Sequence, residues 1–531
     1  MKIEKIGYSQ VSAISFKDLS YINLESFLDN FYSYRPEIAS FAKIIEDRKK
    51  FPVDRKLLVD VLKDDYKYFE PTSLQNQNIE SLSDEHTFTI VTAHQPSLFG
   101  GPLYYVLKIA SVVNLCRQLK NQYPDYHFVP TFVNGGEDHD FDEIDHLNLF
   151  GKSIKWNREA KGPVGRLSTD GLFEVIEEVG DILGDKPTSG FLKEVLSGSL
   201  AESKTYSDFV FKFVNKLFGK YGVLAVNMDN AKFKKKFAPV MKREILERIS
   251  KTLVTDTQNE LEHHKFKAQA FPRDINLFYI CEAGRKRLEP NGDSYEIVDT
   301  DKTFTQEEIL SELERSPEKF SPNVVMRPIY QETILPNLAY VGGGGEIAYW
   351  LERKSQFNAY NSFFPMLIRR NSAMILNKGH LKNMNKLGFG VEDLFKDKDR
   401  LVDQFIQANA DINVELNEEK ERIENAYRKI AEKSASVDPS LSKSVLAEMT
   451  RQLKSIDQME SRIKRTLKSQ QEVNVNKIGK LKEKLFPNNG LQERYDNFMS
   501  HYLDIGEEFF DMLVDNLDPM DRRFTCFLPD M

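Results

Sequence analysis

Between Thr87 and His139 the chain runs twice from a short β-rich stretch into a polar turn, with a densely apolar segment in between. Few folds accept that arrangement. The first stretch, Thr87 to Val91 (TFTIV), leads into Thr92-Ala93-His94-Gln95, and the second, His127 to Val133 (HFVPTFV), into Gly135-Gly136-Glu137-Asp138-His139-Asp140. Between them Tyr104 to Leu107, Ile109, Val112, Val113, Leu115, Cys116 and Leu119 are too crowded with apolar residues for a surface helix and predict one that covers a sheet. Strand, crossover helix and strand at this spacing make the βαβ unit of a parallel sheet, whose carboxyl-end loops bind ligands in α/β folds. Both polar motifs therefore fall on the expected binding edge.

The rhythm returns twice. Val223 to Met228 reads as a third strand, ending in Asp229 before an amphipathic stretch from Phe233 to Ile249, and Leu338 to Val341 reads as a fourth, ending in Gly342-Gly343-Gly344-Gly345. FFPMLI, just before Arg369 and Arg370, is a further strand-like run. The expected organisation is an α/β parallel-sheet core over 1–156, 216–250 and 321–391, interrupted by insertions at 157–215 and 251–320. From 392 to 487 the chain turns glycine-poor and charged, with a break at Ser434 to Pro439, which predicts an antiparallel helical hairpin. Its second helix carries Leu446, Met449, Leu453, Ile456, Ile463 and Leu467 in a coiled-coil stripe. Residues 488–531 are expected to return to the core as helix and strand.

Composition narrows the function classes. With 531 residues, 40% apolar and 29% charged, the chain has globular proportions. No apolar run approaches the ~20 residues that span a bilayer, and Met1 to Leu19 lacks the order of a signal peptide, so a cytoplasmic protein without membrane contact is expected. Cys116, Cys281 and Cys526 form no CxxC pair and are expected as free thiols. A net charge of −8 argues against a protein that coats nucleic acid. Leu441 to Leu485 is locally +6, but it lacks aromatic residues for base stacking, and a solvated hairpin face is expected there.

Eight of the ten residues from Glu137 to His146 are ionisable, a density that is costly unless solvated, paired or used. Proton transfer is one reading, with His139 as base and Asp138 or Asp140 orienting it, together with ammonium recognition; a solvated acidic turn is the other. The spacing matches no standard metal-ligand pattern. Gly342 to Gly345 opens a helix whose amides can receive phosphate or carboxylate oxygens, and Glu346 can either cap that helix or meet an ammonium. Thr92, His94, Gln95, Glu137, Arg327, Gln331, Tyr349 and Arg369 complete the candidate binding set, the arginines for bidentate contact with anions.

In order along the chain, TAHQPSLFGGPLYYVLKI, GGEDHDFDEIDH, FSPNVVMRPIYQETILPNLAYVGGGGEIAYW and LDPMDRRF resemble the bacillithiol-biosynthesis cysteine-adding enzyme family, called cysteine ligases. The resemblance implies the last step of bacillithiol synthesis, in which the carboxyl of cysteine joins the amine of glucosaminyl-malate. It also implies a Rossmann-like core with connecting insertions and a helical hairpin that dimerises the protein. Because an amine and a carboxylate do not condense in water unaided, ATP and Mg²⁺ are expected, with an acyl-adenylate as the activated form. Two places depart from the commoner family pattern: Ala93-His94 stands where Gly-Gln is usual, and Gly344 stands where a proline is usual. The competing readings are a tRNA-associated binding or editing protein with a class I synthetase-like core, and a coiled-coil dimer without catalysis.

Overall fold

The computed structural model describes residues 1–409 and 415–530. The two polar-ended stretches form strands β1 (Thr87–His94) and β2 (His127–Asn134), longer than the apolar runs alone suggest because pairing carries them through the first polar residues. They pair in parallel over eight positions, from Thr87 opposite His127 to His94 opposite Asn134, so both motifs leave the sheet at one level. Helix α1 (Tyr104–Gln122) connects them and is buried along most of its length, as its apolar density requires.

β3 (Leu224–Asn227), β4 (Asn337–Gly342) and β5 (Met366–Arg369) complete a parallel sheet in the order β5-β4-β1-β2-β3. Every paired neighbour is parallel. The chain builds outward from β1 through β2 to β3, then returns to the other side of β1 for β4 and β5. That reversal places a crevice at the carboxyl ends of β1 and β4, the switch point at which open α/β sheets bind ligands. This is a Rossmann-like arrangement.

The insertions hang on the same edge. Between β2 and β3 lie a small antiparallel hairpin, His146–Leu149 with Lys152–Lys155, and the helices Leu172–Leu183, Ser189–Leu200 and Tyr206–Phe218. After β3 comes α2 (Ala231–Glu247), then Ile249–Glu262, then an antiparallel five-stranded sheet that closes with Phe320–Pro322. Strand-like Leu277 to Ile280 is part of that sheet, as Leu277–Cys281. The short helices α3 (Arg327–Ile334) and α4 (Gly344–Leu351) flank β4. Trp156 and Trp350 are both buried in this body.

The chain divides into two compact units, the larger being 5–375 with 492–525. The smaller, built mainly from 376–491, contains an antiparallel helix pair, α5 (Asn417–Ala435) and α6 (Pro439–Gln470). The break read from Ser434 to Pro439 is the turn between them, where Asp438 caps α6 by accepting from the Ser440 amide at 2.7 Å. A separate helix, Glu472–Leu485, follows α6, so the helical run is not one continuous rod. Residues 410–414 of the expected hairpin and residue 531 lie outside the described residues. Cys116 and Cys526 are buried, Cys281 is partly buried, and all three are free. Among the described residues no helix is long and apolar enough to cross a membrane.

Candidate functional site

The carboxyl ends of β1, β2 and β4 open into a cleft of about 920 Å³, walled on its far side by the antiparallel sheet of the second insertion. Its floor is built around a buried lysine. Lys108, on α1 and fully excluded from solvent, donates to the Ala93 carbonyl and to both oxygens of Glu346, at 2.9 and 2.8 Å. Glu346 also accepts from the Tyr340 hydroxyl at 2.7 Å and from the Gly343 amide at 2.8 Å. Burial would push this carboxyl up, but Lys108 and the other donors outweigh it and hold the group at about 2. Lys108 therefore pins the end of β1 to the start of α4 across the switch point. Glu346 caps that helix and is committed within the chain, which leaves little capacity for a substrate ammonium.

The glycine turn divides its labour. Gly342 ends β4, Gly343 is the N-cap, and Gly344 and Gly345 open α4. A Cβ on Gly344 would come within 2.3 Å of the Asp18 carboxyl carbon, whereas one on Gly345 would meet nothing within 4 Å. Asp18 cannot retreat, because Arg369 grips it through two hydrogen bonds of 3.0 and 2.9 Å. The carboxylate of Asp18 thus fills the space that a proline ring would need at position 344. Arg369 is a clamp behind the turn, and its neighbour Arg370 is the arginine that lines the cleft. Glu493 holds Arg370 by a two-pronged ion pair at 2.8 and 3.0 Å.

At the end of β2, Gln95 donates to Asp138 at 2.8 Å and to Glu143 at 2.9 Å, tying the two motifs together. Burial raises the Asp138 carboxyl, but the Gln95 hydrogen bond, Arg285 and the His139 amide bring it below the ordinary range. Arg285, from the second insertion, lies with its guanidinium 3.9 Å from the centre of the Phe278 ring. It donates to Ser321 at 2.9 Å, to the Pro322 carbonyl at 2.9 Å and to His139 Nδ1 at 3.0 Å. An arginine only donates, so Nδ1 of His139 is an acceptor and the ring proton sits on Nε2. Burial and Arg285 both lower the pKa of His139, which keeps it neutral. Of the two carboxylates expected to orient His139, Asp138 lies 3.7 Å from Nδ1, but it is Arg285 that hydrogen-bonds that nitrogen. Asp140 is exposed, and His139 faces the cleft as a neutral ring with a donor at its free nitrogen.

Glu137 is neutralised from below by Lys234 at 2.6 Å. The same buried lysine meets Asp229 at 2.8 Å, and Arg166 holds Asp229 by two hydrogen bonds of 2.6 and 2.7 Å. His94 donates from Nδ1 to the Gln95 carbonyl at 2.9 Å and accepts at Nε2 from Tyr104 at 3.0 Å. Burial and nearby Lys108 lower its pKa to about 4, so it too is neutral.

Of the residues singled out from sequence, His94, Gln95, Glu137, Asp138, His139, Arg327, Gly343, Gly344, Gly345, Glu346 and Tyr349 line this one cleft. Arg327 is joined to the Tyr349 hydroxyl at 3.3 Å. Thr92 donates to the Val341 carbonyl at 2.8 Å and Gln331 to Glu332 at 2.9 Å; both are buried, and neither they nor Gly342, Asp140 and Arg369 reach the cleft. Sequence reasoning missed Lys108, Lys234 and Arg285. A lysine inside a dense apolar helix was the one available signal, since it had to find a partner. No group of three or more His, Cys, Asp or Glu side chains arranged to hold a metal occurs among the described residues.

A family model described as "Bacillithiol biosynthesis BshC, N-terminal Rossmann-like domain" matches residues 1–371, and a second, for the C-terminal coiled-coil domain of BshC, matches residues 373–528. Proteins named "Putative cysteine ligase BshC" resemble this chain from end to end. That of Flavobacterium psychrophilum is 39% identical over 528 residues, 99% of each chain. That of Christiangramia forsetii is 39% identical over 525 residues, 98% of each. That of Bacillus cytotoxicus is 28% identical over 508 residues, 93% of this chain and 94% of the relative.

Proposed function

The chain belongs to the BshC family of bacillithiol biosynthesis, and from that premise we propose that it joins the carboxyl of L-cysteine to the amine of glucosaminyl-malate. The observation that carries this reading is the balance of charge in the cleft. Glu137 and Glu346 are neutralised by the buried lysines Lys234 and Lys108 and Arg370 is paired with Glu493, while Arg285 and Arg327 stand in the wall bonded to neutral groups. Such a cleft receives anionic ligands, and all the reactants proposed here carry carboxylates or phosphates.

The residues fit a nucleotide. Arg370 Nε is buried with no hydrogen-bond partner, as is Asn134 Oδ1, and both residues face the cleft. Gly345 leaves open space where a ligand can approach the first-turn amides of α4. Arg327, Arg370 and those amides would hold the phosphates, with Mg²⁺ entering on them. ATP would supply the activation that a carboxylate needs before an amine can displace an oxygen from it, and an acyl-adenylate is the form we favour. In this account Asp138, ionised at neutral pH, receives the acceptor amine. His139 donates from Nε2 to the reacting groups rather than taking their proton.

Purified protein is incubated with glucosaminyl-malate, cysteine, ATP and Mg²⁺, each omitted in turn, and bacillithiol is followed by mass spectrometry. Product that requires all four supports the reading, and absence of product from the complete mixture rejects it.

The hairpin extends the proposal to a homodimer. On α6, Met449, Leu453, Ile456, Ile463 and Leu467 are only half-buried and Leu446 is exposed, so the apolar stripe is incompletely covered by α5. Sedimentation at micromolar concentration should give a dimer, and a monomer would count against this arm of the account.

A further inference from the structure

Beside the main cleft lies a smaller chamber of about 260 Å³. The two share His94, Gln95, Tyr104, Glu143 and Arg494, which form a threshold between them. Beyond it the partly open chamber is lined by Pro102, His146, Leu147, Asn148 and Tyr495, and by Ser97, which is buried.

Three observations restrict what can occupy it. Its volume falls below the ~300 Å³ at which pockets for drug-sized ligands begin, so a nucleotide or a sugar conjugate is too large and a single amino acid is not. The threshold carries one charge of each sign with capacity to spare. Glu143 is exposed and accepts one hydrogen bond, from Gln95, through Oε2. Arg494 is exposed and has no ion-pair partner among the described residues, unlike Arg285, Arg369 and Arg370, which are all held. Finally, Arg494 and Glu143 both belong to the two cavities, so a carboxylate and an ammonium held on them stand at the edge of the main cleft while the side chain of the same molecule lies in the chamber.

We propose that this chamber is an α-amino-acid subsite. It takes the zwitterion with its carboxylate on Arg494, its ammonium on Glu143 and its side chain against Pro102 and Leu147. The inference rests on the reading above, in which the acyl donor is cysteine. It goes further by placing the donor's polar groups at the threshold, its carboxyl at the edge of the cleft where nucleotide and amine would meet it, and its side chain in the smaller chamber.

The test is calorimetric titration of the full chain with L-cysteine, with cysteamine, which lacks the carboxylate, and with 3-mercaptopropionate, which lacks the ammonium. Each is run with and without a non-hydrolysable ATP analogue and Mg²⁺. L-cysteine should bind one per chain, and the two truncated thiols at least tenfold more weakly. Arg494→Ala and Glu143→Gln should each weaken L-cysteine at least tenfold with unchanged melting temperature, while Arg117→Ala, at a surface arginine paired with Asp515 outside both cavities, shifts it less than twofold. The subsite is overturned if the wild type binds no L-cysteine in either condition. It is equally overturned if Arg494→Ala and Glu143→Gln bind within twofold of wild type, or if Arg117→Ala weakens L-cysteine as much as they do. Binding with the expected dependences but no bacillithiol in the reconstitution would leave the subsite standing and remove the ligase reading. Bacillithiol formation with an unmoved KM for cysteine in Arg494→Ala would do the reverse.

Discussion

Replacing Lys108 by Met removes the one buried cation that joins the end of β1 to the cap of α4. Met matches the stem in length, so the loss is mainly electrostatic. Holding Glu346 at about 2 instead of its ordinary 4.5 corresponds to about 3 kcal/mol at ~1.36 kcal/mol per pH unit. Breaking a buried pair by removing one partner costs about 3–5 kcal/mol, in agreement. Because the pKa of Glu346 is depressed, its contribution in the wild type is fully present above pH ~4.5 and is lost only as pH falls toward 2. Trp156 and Trp350, the only tryptophans, are both buried in the larger unit, so their fluorescence during urea unfolding reports on that unit. Lys108→Met should lose about 3 kcal/mol, and Lys108→Met/Glu346→Gln should recover at least half, because the amide oxygen can still accept from Gly343 while its NH2 donates to the Tyr340 hydroxyl oxygen. A single variant within about 1 kcal/mol of wild type, or a double variant that is the sum of its parts, would refute the reasoning.

Gly344→Ala should destabilise the larger unit by about 1–3 kcal/mol, because Asp18 cannot leave, whereas Gly345→Ala should be neutral or slightly stabilising; equal urea midpoints for the two variants would contradict this. His94 binds its proton less readily in the folded chain, so between pH 6.5 and 4 the unfolded chain takes up a proton that the folded chain refuses, and stability falls. His94→Gln should remove about 3 kcal/mol of that fall by pH 4, measured as the difference between the two pH–stability curves, and superimposed curves would refute it. His139→Gln, whose amide can donate from nearly the place of Nε2, should keep turnover within about tenfold, whereas a proton-accepting His139 would lose about 10²- to 10⁴-fold; kcat of the variant decides between them.

The sheet was legible because its strands are buried on both faces and so read as near-continuous apolar runs, each ending in polar residues that loop into the cleft. The turn between α5 and α6 was legible from Asp438-Pro439, a cap followed by a residue suited to the first helical position. What the sequence hid was partnership across long separations. Arg369 and Arg370 are adjacent and chemically identical, and only the fold shows that the first turns to Asp18 and the second to the cleft. Thr92 and Gln331 lie near the motifs but spend their polar atoms inside the sheet body. Arg285 arrives from an insertion about 150 residues from His139, and nothing in its local pattern marks the histidine it fixes.

The central claim is that ATP activates the carboxyl of cysteine before the sugar amine attacks it. Cysteine labelled with ¹⁸O in both carboxyl oxygens, turned over with glucosaminyl-malate, ATP and Mg²⁺, tests it by mass spectrometry of the nucleotide and phosphate products. The account predicts one ¹⁸O in the released AMP and none in inorganic phosphate. Bacillithiol formed with no label in either would contradict it.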